Sequence, residues 1–365
     1  MKEWMDAIVK PAAGPGLELR QVPVPIPEAG EVLIKIHKTA ICGTDVHIFN
    51  WDPWAAQHIT HPPMTIGHEY VGEVAALGAG VTGLEIGQRV SGEGHITCGR
   101  CRNCHTGNIQ WCHDTKGVGV DRDGAFAEYV CIPSTNVIII DPSLPEDVVA
   151  FFDAVGNATH TALMWNLVGE DVLITGAGPI GIIAAGICKY AGARRVIITD
   201  MNDYRLGLAK KMGADAAVNT GTEDLREVMR RQGLTEGFDV GFEMSGAGAA
   251  LNQMISVMRN GGKISLLGLG KANVEVDMNS IICKGLTLQG IYGRKMDNWH
   301  QMSYMVQGGL DLSPAITHRF HYTEFEKGFE AVSQHRHQAA KEFTKELIEE
   351  LLSTDSDDTP ARTVE

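Results

Sequence analysis

The sequence predicts an α/β protein of two domains, an antiparallel β-barrel-like domain followed by a doubly wound parallel sheet. Three observations lead to this fold class. The chain has 365 residues, enough for two domains that each bury a core. The first part of the chain contains short strand-like segments broken by Gly and Pro, as in an antiparallel barrel. The part that follows contains six apolar strand-like runs, most of them separated by helix-length segments, which is the pattern of a parallel sheet with crossover helices.

The first predicted domain covers residues 1–155. Residues 31–38 alternate between apolar and polar side chains, which is the period of a half-buried strand. Residues 127–132 and 137–140 repeat this character between turns. Short strands of this kind predict a barrel.

The second predicted domain covers residues 156–305 and contains the parallel sheet. Its strands are expected at residues 172–175, 196–199, 216–219, 240–243, 264–267 and 287–291. Helix-length segments such as 203–212 and 248–258 lie between them. Residues 306–340 are expected to return to the first domain. Residues 341–365 are predicted to form an amphipathic helix and an acidic tail, the apolar face of the helix consisting of Phe343, Leu347, Ile348, Leu351 and Leu352.

The net charge, the N-terminal residues and one uncharged run indicate which partners and which location to expect. The chain has 31 Lys and Arg against 45 Asp and Glu, a formal net charge of −14, so its overall charge does not favour binding to nucleic acid. The N-terminus carries charges where a signal peptide needs an apolar run, so we expect a cytoplasmic protein. Residues 172–188 carry no charge, but several glycines and Pro179 interrupt them. A buried strand followed by a buried helix is therefore expected there, and no membrane span.

Four cysteines give the strongest chemical signal. Cys98, Cys101, Cys104 and Cys112 lie within 15 residues, a spacing that suits a closed tetrahedral Zn²⁺ site. Ferredoxin-type sequences also begin C-x2-C-x2-C, but their fourth cysteine follows after three residues and precedes proline. Four free buried thiols are the other alternative. The spacing favours structural zinc.

A second metal site is predicted from Cys42, His68 and Glu69. A thiolate, an imidazole and a carboxylate are the ligand types of a zinc ion that keeps one position for water or substrate. Taken singly, each residue is as well explained by an ordinary structural role. Thr44 and His47 follow Cys42 by two and five residues, a spacing suited to passing a proton from the metal site to solvent.

A glycine-rich segment predicts a dinucleotide site. Gly176, Gly178 and Gly181 follow an apolar strand and open a helix-length segment, and Asp200 ends the next strand. The glycines let the backbone approach a pyrophosphate at the helix N-terminus. Asp200 would accept hydrogen bonds from ribose hydroxyls and repel a 2′-phosphate, which favours NAD. Arg205 could instead pair with that phosphate and favour NADP.

These motifs resemble the zinc-containing medium-chain alcohol dehydrogenases. The resemblance rests on residues 67–81 (Gly-His-Glu-x2-Gly-x5-Gly-x2-Val), on the four-cysteine loop and on the later nucleotide motif, and it covers about residues 5–335. It implies a GroES-like catalytic domain before a Rossmann NAD-binding domain. Within the family, the residues before Cys98 (Gly92-Glu93-Gly94-His95) are most similar to enzymes that oxidise the 3-hydroxyl of L-threonine with NAD to 2-amino-3-oxobutanoate.

The resemblance implies roles for particular residues. Cys42, His68 and Glu69 would hold a catalytic zinc, the four cysteines of residues 98–112 a structural zinc, and Thr44 and His47 a proton relay. Asp153 would be the acidic residue beside the metal, with an N-cap of the following helix as the alternative. His95 and Arg294 are candidates for the carboxylate end of the substrate. The implied NAD contacts are Ile180, Asp200, Arg205, Leu267, Gly268, Leu269, Ile291 and Tyr292.

The family resemblance also implies a homotetramer that acts on a small amino-acid alcohol and contains two zinc ions per chain. A polyol or other secondary-alcohol dehydrogenase is the nearest alternative, and a non-catalytic NAD- and zinc-binding protein is a more distant one. One departure concerns the C-terminus. Members of the family generally end in a short strand that completes the first domain, whereas residues 341–365 of this chain predict a charged helix and a tail.

Overall fold

The computed structural model describes residues 2–270, 273–334 and 344–346. Up to residue 162 these residues form mainly antiparallel strands with short helices between them. The strands are β1 (Trp4–Lys10), β2 (Glu18–Pro23), β3 (Glu31–Ala40), β4 (Met64–Thr65), β5 (Glu69–Leu77), β6 (Arg89–Gly92), β7 (His95–Ile96), β8 (Lys116–Gly117), β9 (Tyr129–Pro133) and β10 (Val137–Ile139). The helices are α1 (Gly43–Asn50), α2 (Pro53–His58), α3 (Arg102–His105), α4 (Glu146–Val149) and α5 (Phe152–Ala162).

The following part of the chain alternates strands and helices. The strands are β11 (Asp171–Thr175), β12 (Arg195–Asp200), β13 (Ala216–Asn219), β14 (Phe238–Glu243), β15 (Met258–Leu266) and β16 (Thr287–Gly290). The helices are α6 (Pro179–Tyr190), α7 (Asp203–Lys211), α8 (Leu225–Arg231), α9 (Gly248–Val257), α10 (Met278–Lys284), α11 (Met296–Gln307) and α12 (Phe325–Gln334). All six strands pair in parallel in the order β13-β12-β11-β14-β15-β16, so the predicted doubly wound sheet is confirmed.

Strand β3 organises the antiparallel part. It pairs antiparallel with β5 and with β9, and β5 continues to β6 and β10. Val32, Leu33, Ile34 and Ile36 are all fully buried. The alternation at residues 31–38 predicted a half-buried strand, but the centre of this strand is covered on both faces because neighbouring strands and loops pack on each side.

Helix α5 joins the two parts of the molecule. It crosses the predicted boundary at residue 155 and packs against both α6 and α11. Nine of its residues are buried, Phe152, Ala154 and Val155 among them. It therefore holds Asp153, at its first turn, in a fixed position between the sheet of the first part and the parallel sheet.

The chain then comes back to the antiparallel part. Phe325 and Phe329, in helix α12, lie in the same core cluster as Val46 and Ile48 of helix α1. The rings of Phe49 and Phe329 stack with their centroids 4.9 Å apart. This contact anchors α1, which carries two of the candidate catalytic side chains.

The C-terminal segment differs from the prediction at three residues. A helix was expected from residue 341, but Thr344–Glu346 form a strand, β17, that pairs antiparallel with β3 from Ala40 to Lys38. The physical reason is that this end of β3 offers unpaired backbone N–H and C=O groups, and a strand satisfies them where a helix cannot. The rest of the predicted helix and the acidic tail lie outside the described residues.

The uncharged run at residues 172–188 forms β11 and then α6, as expected. No helix within the described ranges is long and apolar enough to cross a membrane.

Candidate active site and metal centres

The four cysteines of the loop between β7 and β8 form one cluster. Their Sγ atoms all lie within 4.8 Å of one another, and the Sγ atoms of Cys101 and Cys104 are 3.5 Å apart. The backbone N–H of Cys104 donates to Cys101 Sγ, and this bond lowers the pKa of the Cys101 thiol to about 5. Burial raises the pKa of Cys104 to about 11. Four sulfurs at this spacing, one already favoured as a thiolate, fit a closed tetrahedral zinc site.

The second predicted cluster is also brought together. One ligand atom from each of Cys42, His68 and Glu69 lies within 4.8 Å of the others. Sheet register explains the meeting of distant residues, because Ala40 at the end of β3 pairs with Glu69 at the start of β5. Cys42 follows β3 by two residues and precedes α1. One sulfur, one nitrogen and one oxygen ligand form a set that suits zinc with an open position.

Gly67 makes the approach of His68 possible. Its φ is +91°, and a Cβ at this position would lie 2.3 Å from a ring carbon of Phe126. A side chain here would be strained by the backbone angle and would overlap the aromatic ring. Only glycine fits directly before the histidine.

Asp45 contacts two of the predicted metal ligands but was not among the residues predicted from the sequence. Its Oδ2 accepts the backbone N–H of Cys42 at 2.7 Å, and its Oδ1 lies 3.6 Å from Nδ1 of His68. The side chain is fully buried. A carboxylate behind a metal-binding histidine fixes the ring and leaves Nε2 for the metal. Its position three residues after Cys42, where the side chain of a capping box accepts the N–H of the N-cap residue, was the sequence feature that could have identified it.

The predicted relay residues lie on helix α1. Thr44 Oγ1 is 3.8 Å from Cys42 Sγ, and Nδ1 of His47 forms a short hydrogen bond with Oδ2 of Asp52. His47 is about one third exposed, with 36% of its side-chain surface accessible. Thr44 therefore lies beside the metal cluster and His47 reaches solvent, as a relay requires.

Asp52 joins the relay histidine to the next helix. Its Oδ1 accepts the backbone N–H groups of Trp54 and Ala55, both at 3.1 Å, so it is the N-cap of α2. Burial raises its pKa, but the hydrogen bond from His47 and the backbone amides outweigh burial and hold that pKa below 3.8. An ionised Asp52 thus faces His47.

Arg294 lies at the centre of a buried ionic network. Its Nε and Nη2 donate to the two carboxylate oxygens of Glu93 at 2.6 and 2.8 Å. Nη2 also donates to Asp153 Oδ1 at 2.5 Å, and Nη1 donates to the backbone carbonyl of Asp153 at 2.8 Å. The guanidinium is fully buried. Gly156 provides the space, because a Cβ there would lie 2.3 Å from Arg294 Cδ.

This network corrects the predictions for Asp153 and Arg294. The N-cap of α5 is Phe151, so Asp153 stands inside the first turn and the N-cap alternative is wrong. Arg294 was a candidate for the substrate carboxylate, but its donors already bind Glu93 and Asp153 away from solvent. Asp153 lies close to the metal cluster, since a Cβ on Gly94 would be 3.7 Å from Cβ of His68 and 4.0 Å from Asp153 Oδ1.

His95 extends the network. Its Nδ1 is 2.9 Å from Oε1 of Glu93, whose other oxygen accepts from Nε1 of Trp299 at 3.0 Å. One third of the His95 side chain is exposed. Burial raises the pKa of Glu93, but Arg294 and His95 outweigh it and hold that pKa well below 4.5. Glu93 is thus a buried anion that orients both His95 and Arg294, and its position two residues before His95 was the only signal of this role.

The glycine-rich segment has the shape of a phosphate cradle. Gly176 has a φ of +94°, and a Cβ on it would lie 2.9 Å from the backbone N of Ser245. A Cβ on Gly181 would lie 2.0 Å from the carbonyl oxygen of Gly176. Gly178 is the N-cap of α6, has no side chain to cap it, and faces open space. The first residue of α6, Pro179, has no N–H, so the amides of Ile180 and Gly181 are the ones that face the N-terminus and suit an anionic group such as a dinucleotide pyrophosphate.

Asp200 lies at the end of β12, beside this cradle. Its Oδ2 accepts the N–H of Ala177 at 2.7 Å, and its Oδ1 accepts those of Met201 and Asn202 at 2.8 and 3.0 Å. The carboxylate therefore shapes the loop as well as standing where a ribose is expected. Arg205 lies in the first turn of α7 and is partly buried.

Glu243 is a second residue that sequence reasoning missed. Its carboxylate accepts the N–H groups of Ser245 and Gly246 at 2.9 and 3.1 Å, and its carbonyl accepts those of Leu267 and Gly268 at 2.9 and 3.0 Å. It therefore joins two loops at the same edge of the sheet. A buried Glu ending a strand was the available signal.

The remaining predicted cofactor residues differ in accessibility. Leu269 is 90% exposed and Tyr292 56% exposed, whereas Ile180 is partly buried and Ile291 is buried. The rings of Tyr292 and His95 are 6.0 Å apart between centroids, so the segment after β16 reaches the ionic network.

Two family models match this chain. The model of the alcohol dehydrogenase GroES-like domain matches residues 28–142, and that of the zinc-binding dehydrogenase matches residues 179–308. These ranges contain both cysteine-bearing clusters and much of the parallel sheet.

Curated relatives match most of the chain. The L-threonine 3-dehydrogenase of Chromobacterium violaceum is 57% identical over 329 residues, which covers 90% of this chain and 96% of that protein. The L-threonine 3-dehydrogenase of Shewanella frigidimarina is 58% identical over 314 residues, or 85% of this chain and 92% of that protein. Among solved structures, a short chain alcohol dehydrogenase from Escherichia coli CFT073, complexed with NADH, aligns with a TM-score of 0.86 at 25% identity, covering 95% of this chain and all of that one.

Proposed function

Because the chain belongs to the zinc-containing alcohol dehydrogenases, and within them to the L-threonine 3-dehydrogenase family, we propose that it oxidises the 3-hydroxyl of L-threonine with NAD, giving 2-amino-3-oxobutanoate. The observation that carries the proposal is the meeting of the Cys42, His68 and Glu69 cluster with Asp153. A ligand set for an alcohol-binding metal lies beside a carboxylate that suits an ammonium group.

We assign the two clusters to two zinc ions per chain. The four-cysteine cluster would hold a structural ion, and Cys42, His68 and Glu69 a catalytic one. When bound there, zinc supplies a Lewis acid that lowers the pKa of the substrate hydroxyl. Asp45 orients His68 and, through the N–H of Cys42, also fixes the position of the thiolate.

The protein's own residues would carry the proton away. Thr44, beside Cys42, accepts it from the substrate hydroxyl while donating its own proton onward. His47 receives it at the solvent side. Asp52 holds Nδ1 of His47 as a donor, so that Nε2 is the accepting nitrogen, and stabilises the charge that the ring acquires.

The substrate's ammonium group is assigned to Asp153. A carboxylate has about four lone-pair sites, so Asp153 can accept from Arg294 and from an ammonium group together. Arg294 is a positioning residue that holds the Asp153 carboxylate in place. His95, oriented by Glu93, is assigned to the carboxylate end.

The Rossmann part would hold NAD, which supplies the hydride acceptor. Gly176, Gly178 and Gly181 form the pyrophosphate cradle, with Ile180 beside it. Asp200 and Arg205 are the partners proposed for the adenosine ribose. Those proposed along the nicotinamide half are Leu267, Gly268, Leu269, Ile291 and Tyr292.

We further propose that the chain acts in the cytoplasm as a homotetramer, as the resemblance implies. The domain limits at residues 155, 305 and 340 stay proposals of the same kind.

The test is NADH formation by the purified zinc-loaded protein, with L-threonine and sorbitol compared under NAD. We expect turnover with L-threonine and little with sorbitol. Cys42→Ser should abolish turnover, while Cys283→Ser, a matched change at an exposed cysteine, should leave it intact. Turnover of sorbitol in preference to threonine would contradict the proposed substrate, and equal activity of the two variants would contradict the metal site.

A further inference from the structure

Gln110 is a buried polar side chain whose hydrogen-bonding capacity is unused within the protein. It lies in a 3₁₀ turn, Ile109–Trp111, just before Cys112, and is 4% exposed. Among the residues that the structure describes, neither Oε1 nor Nε2 has a hydrogen-bond partner, although both atoms are buried. A buried amide without partners costs free energy, so a ligand that satisfies it would bind more tightly.

Gln110 lies next to the candidate substrate residues. A Cβ on Gly293 would be 3.8 Å from Cβ of Gln110 and 3.6 Å from Cε1 of His95, so both side chains meet at this glycine. Gly293 directly precedes Arg294, whose guanidinium binds Glu93 and Asp153. The side chain of Gln110 thus starts close to the network that ends at the catalytic metal cluster.

Threonine needs a donor at this end of the site. Asp153 suits its ammonium group, but only His95 remains of the two candidates for the carboxylate, since the donors of Arg294 bind Glu93 and Asp153. Nε2 of Gln110 is a buried donor without a partner, on a side chain that starts near His95. We propose that Gln110 is a specificity-determining residue whose Nε2 donates to the substrate carboxylate, an inference that rests on the proposed function.

A structural role is the competing explanation. Nε2 of His160 is also buried without a partner, and Nδ1 of the same ring is 2.9 Å from the carbonyl oxygen of Gly293. A water molecule shared by Gln110 and His160 would satisfy both without touching substrate. The two explanations differ in which compounds should bind more weakly when the amide is removed.

The test compares three compounds in wild type and Gln110→Leu. L-Threonine has both charged groups, (R)-3-hydroxybutanoate lacks the ammonium, and (R)-1-amino-2-propanol lacks the carboxylate. Their dissociation constants are measured by calorimetry on the zinc-loaded protein with NADH, and kcat/KM is measured wherever turnover occurs. Gln57→Leu, at an exposed position, is the matched control.

We expect Gln110→Leu to weaken the two carboxylate-bearing compounds by about 10- to 100-fold, the usual effect of losing a hydrogen bond to a charged group. Binding of (R)-1-amino-2-propanol should stay within roughly 3-fold of wild type, because that compound makes no such bond. Gln110→Glu should weaken the carboxylates further by repulsion. If Gln110→Leu does not fold, Gln110→Glu carries the same comparison.

Equal weakening of all three compounds would overturn the proposal and support a structural water. No change for any compound would also overturn it. A wild type that binds all three compounds but oxidises none refutes the proposed function instead, and the binding comparison still decides the role of Gln110.

Discussion

Replacing Arg294 by methionine removes the positive charge that lies between two carboxylates. The side chains of Glu93 and Asp153 are only 3% and 12% exposed, and the guanidinium itself is fully buried. Methionine fills much of the space but cannot donate a hydrogen bond. Both acids would therefore remain in a poorly solvated environment without their main counter-charge.

The expected loss of stability is large. Breaking a buried ion pair by removing one partner costs about 3–5 kcal/mol. Arg319→Met is the matched control, because Arg319 pairs with Asp147 but is 52% exposed. An exposed pair contributes at most about 1 kcal/mol. The difference between the two variants therefore isolates the effect of burial.

The pH dependence gives the sharper test. In the wild type the pKa of Glu93 lies well below 4.5, so the stability it contributes is present above that value and is lost as the pH falls through the lower folded-state value. Without Arg294, burial dominates and raises this pKa above its unfolded value. As the pH falls, protonation of Glu93 then removes its uncompensated charge in the variant. The loss of unfolding free energy relative to wild type should therefore be smaller at about pH 5 than at about pH 7.5.

Urea denaturation at the two pH values measures both effects, and kcat/KM for threonine at the higher pH reports the displacement of Asp153. A deficit no larger than that of Arg319→Met, or one that is unchanged between the two pH values, would refute the role assigned to the buried guanidinium.

Three further predictions concern the metal, the cofactor and the relay. Elemental analysis should find about two zinc ions per chain; Cys42→Ser should lose one of them and activity while staying folded, whereas Cys101→Ser should mainly lose stability. Asp200→Gly should raise the KM for NAD, lower that for NADP, and cost some stability, because backbone amides lose an acceptor; a wild-type preference for NADP would contradict this. Asp52→Asn should keep the α2 cap, since Asn caps as well as Asp, yet lower kcat roughly 10-fold with an unchanged Tm, because the charge facing His47 is lost; an unaltered kcat–pH profile would show that the pair is only structural.

The parts of the fold that repeat a simple pattern were predictable. The six parallel strands lie within a few residues of the apolar runs, except that β15 begins at Met258, six residues before the expected start. The four-cysteine cluster was also predictable, since its ligand type and spacing are local properties, whereas the set of Cys42, His68 and Glu69 was predicted from ligand type and family resemblance. What brings Cys42 to Glu69 is sheet register, which the chain specifies only through long-range pairing.

The buried polar contacts were not predictable. In the sequence nothing distinguishes three of the residues involved from ordinary polar residues, because their partners are distant in the chain or are backbone amides. These residues are Glu93, Asp45 and Glu243. The separation of 201 residues between Glu93 and Arg294 shows why. For this reason Arg294 was predicted to bind the substrate, whereas its guanidinium donates to Glu93 and Asp153.

The C-terminal strand was not predicted because the apolar residues around it have helical spacing. The apolar spacing of residues 343–352 favours a helix, but Thr344–Glu346 meet an available strand edge, and pairing with β3 overrides local preference.

Oxidation of threonine by hydride transfer to NAD is tested most directly by following the hydrogen on C3 of threonine. The zinc-loaded enzyme is supplied with NAD and with L-threonine deuterated at C3, and the reduced cofactor is examined by mass spectrometry. We expect NADH that carries the deuterium, together with 2-amino-3-oxobutanoate. Threonine consumed without deuterated NADH would contradict it.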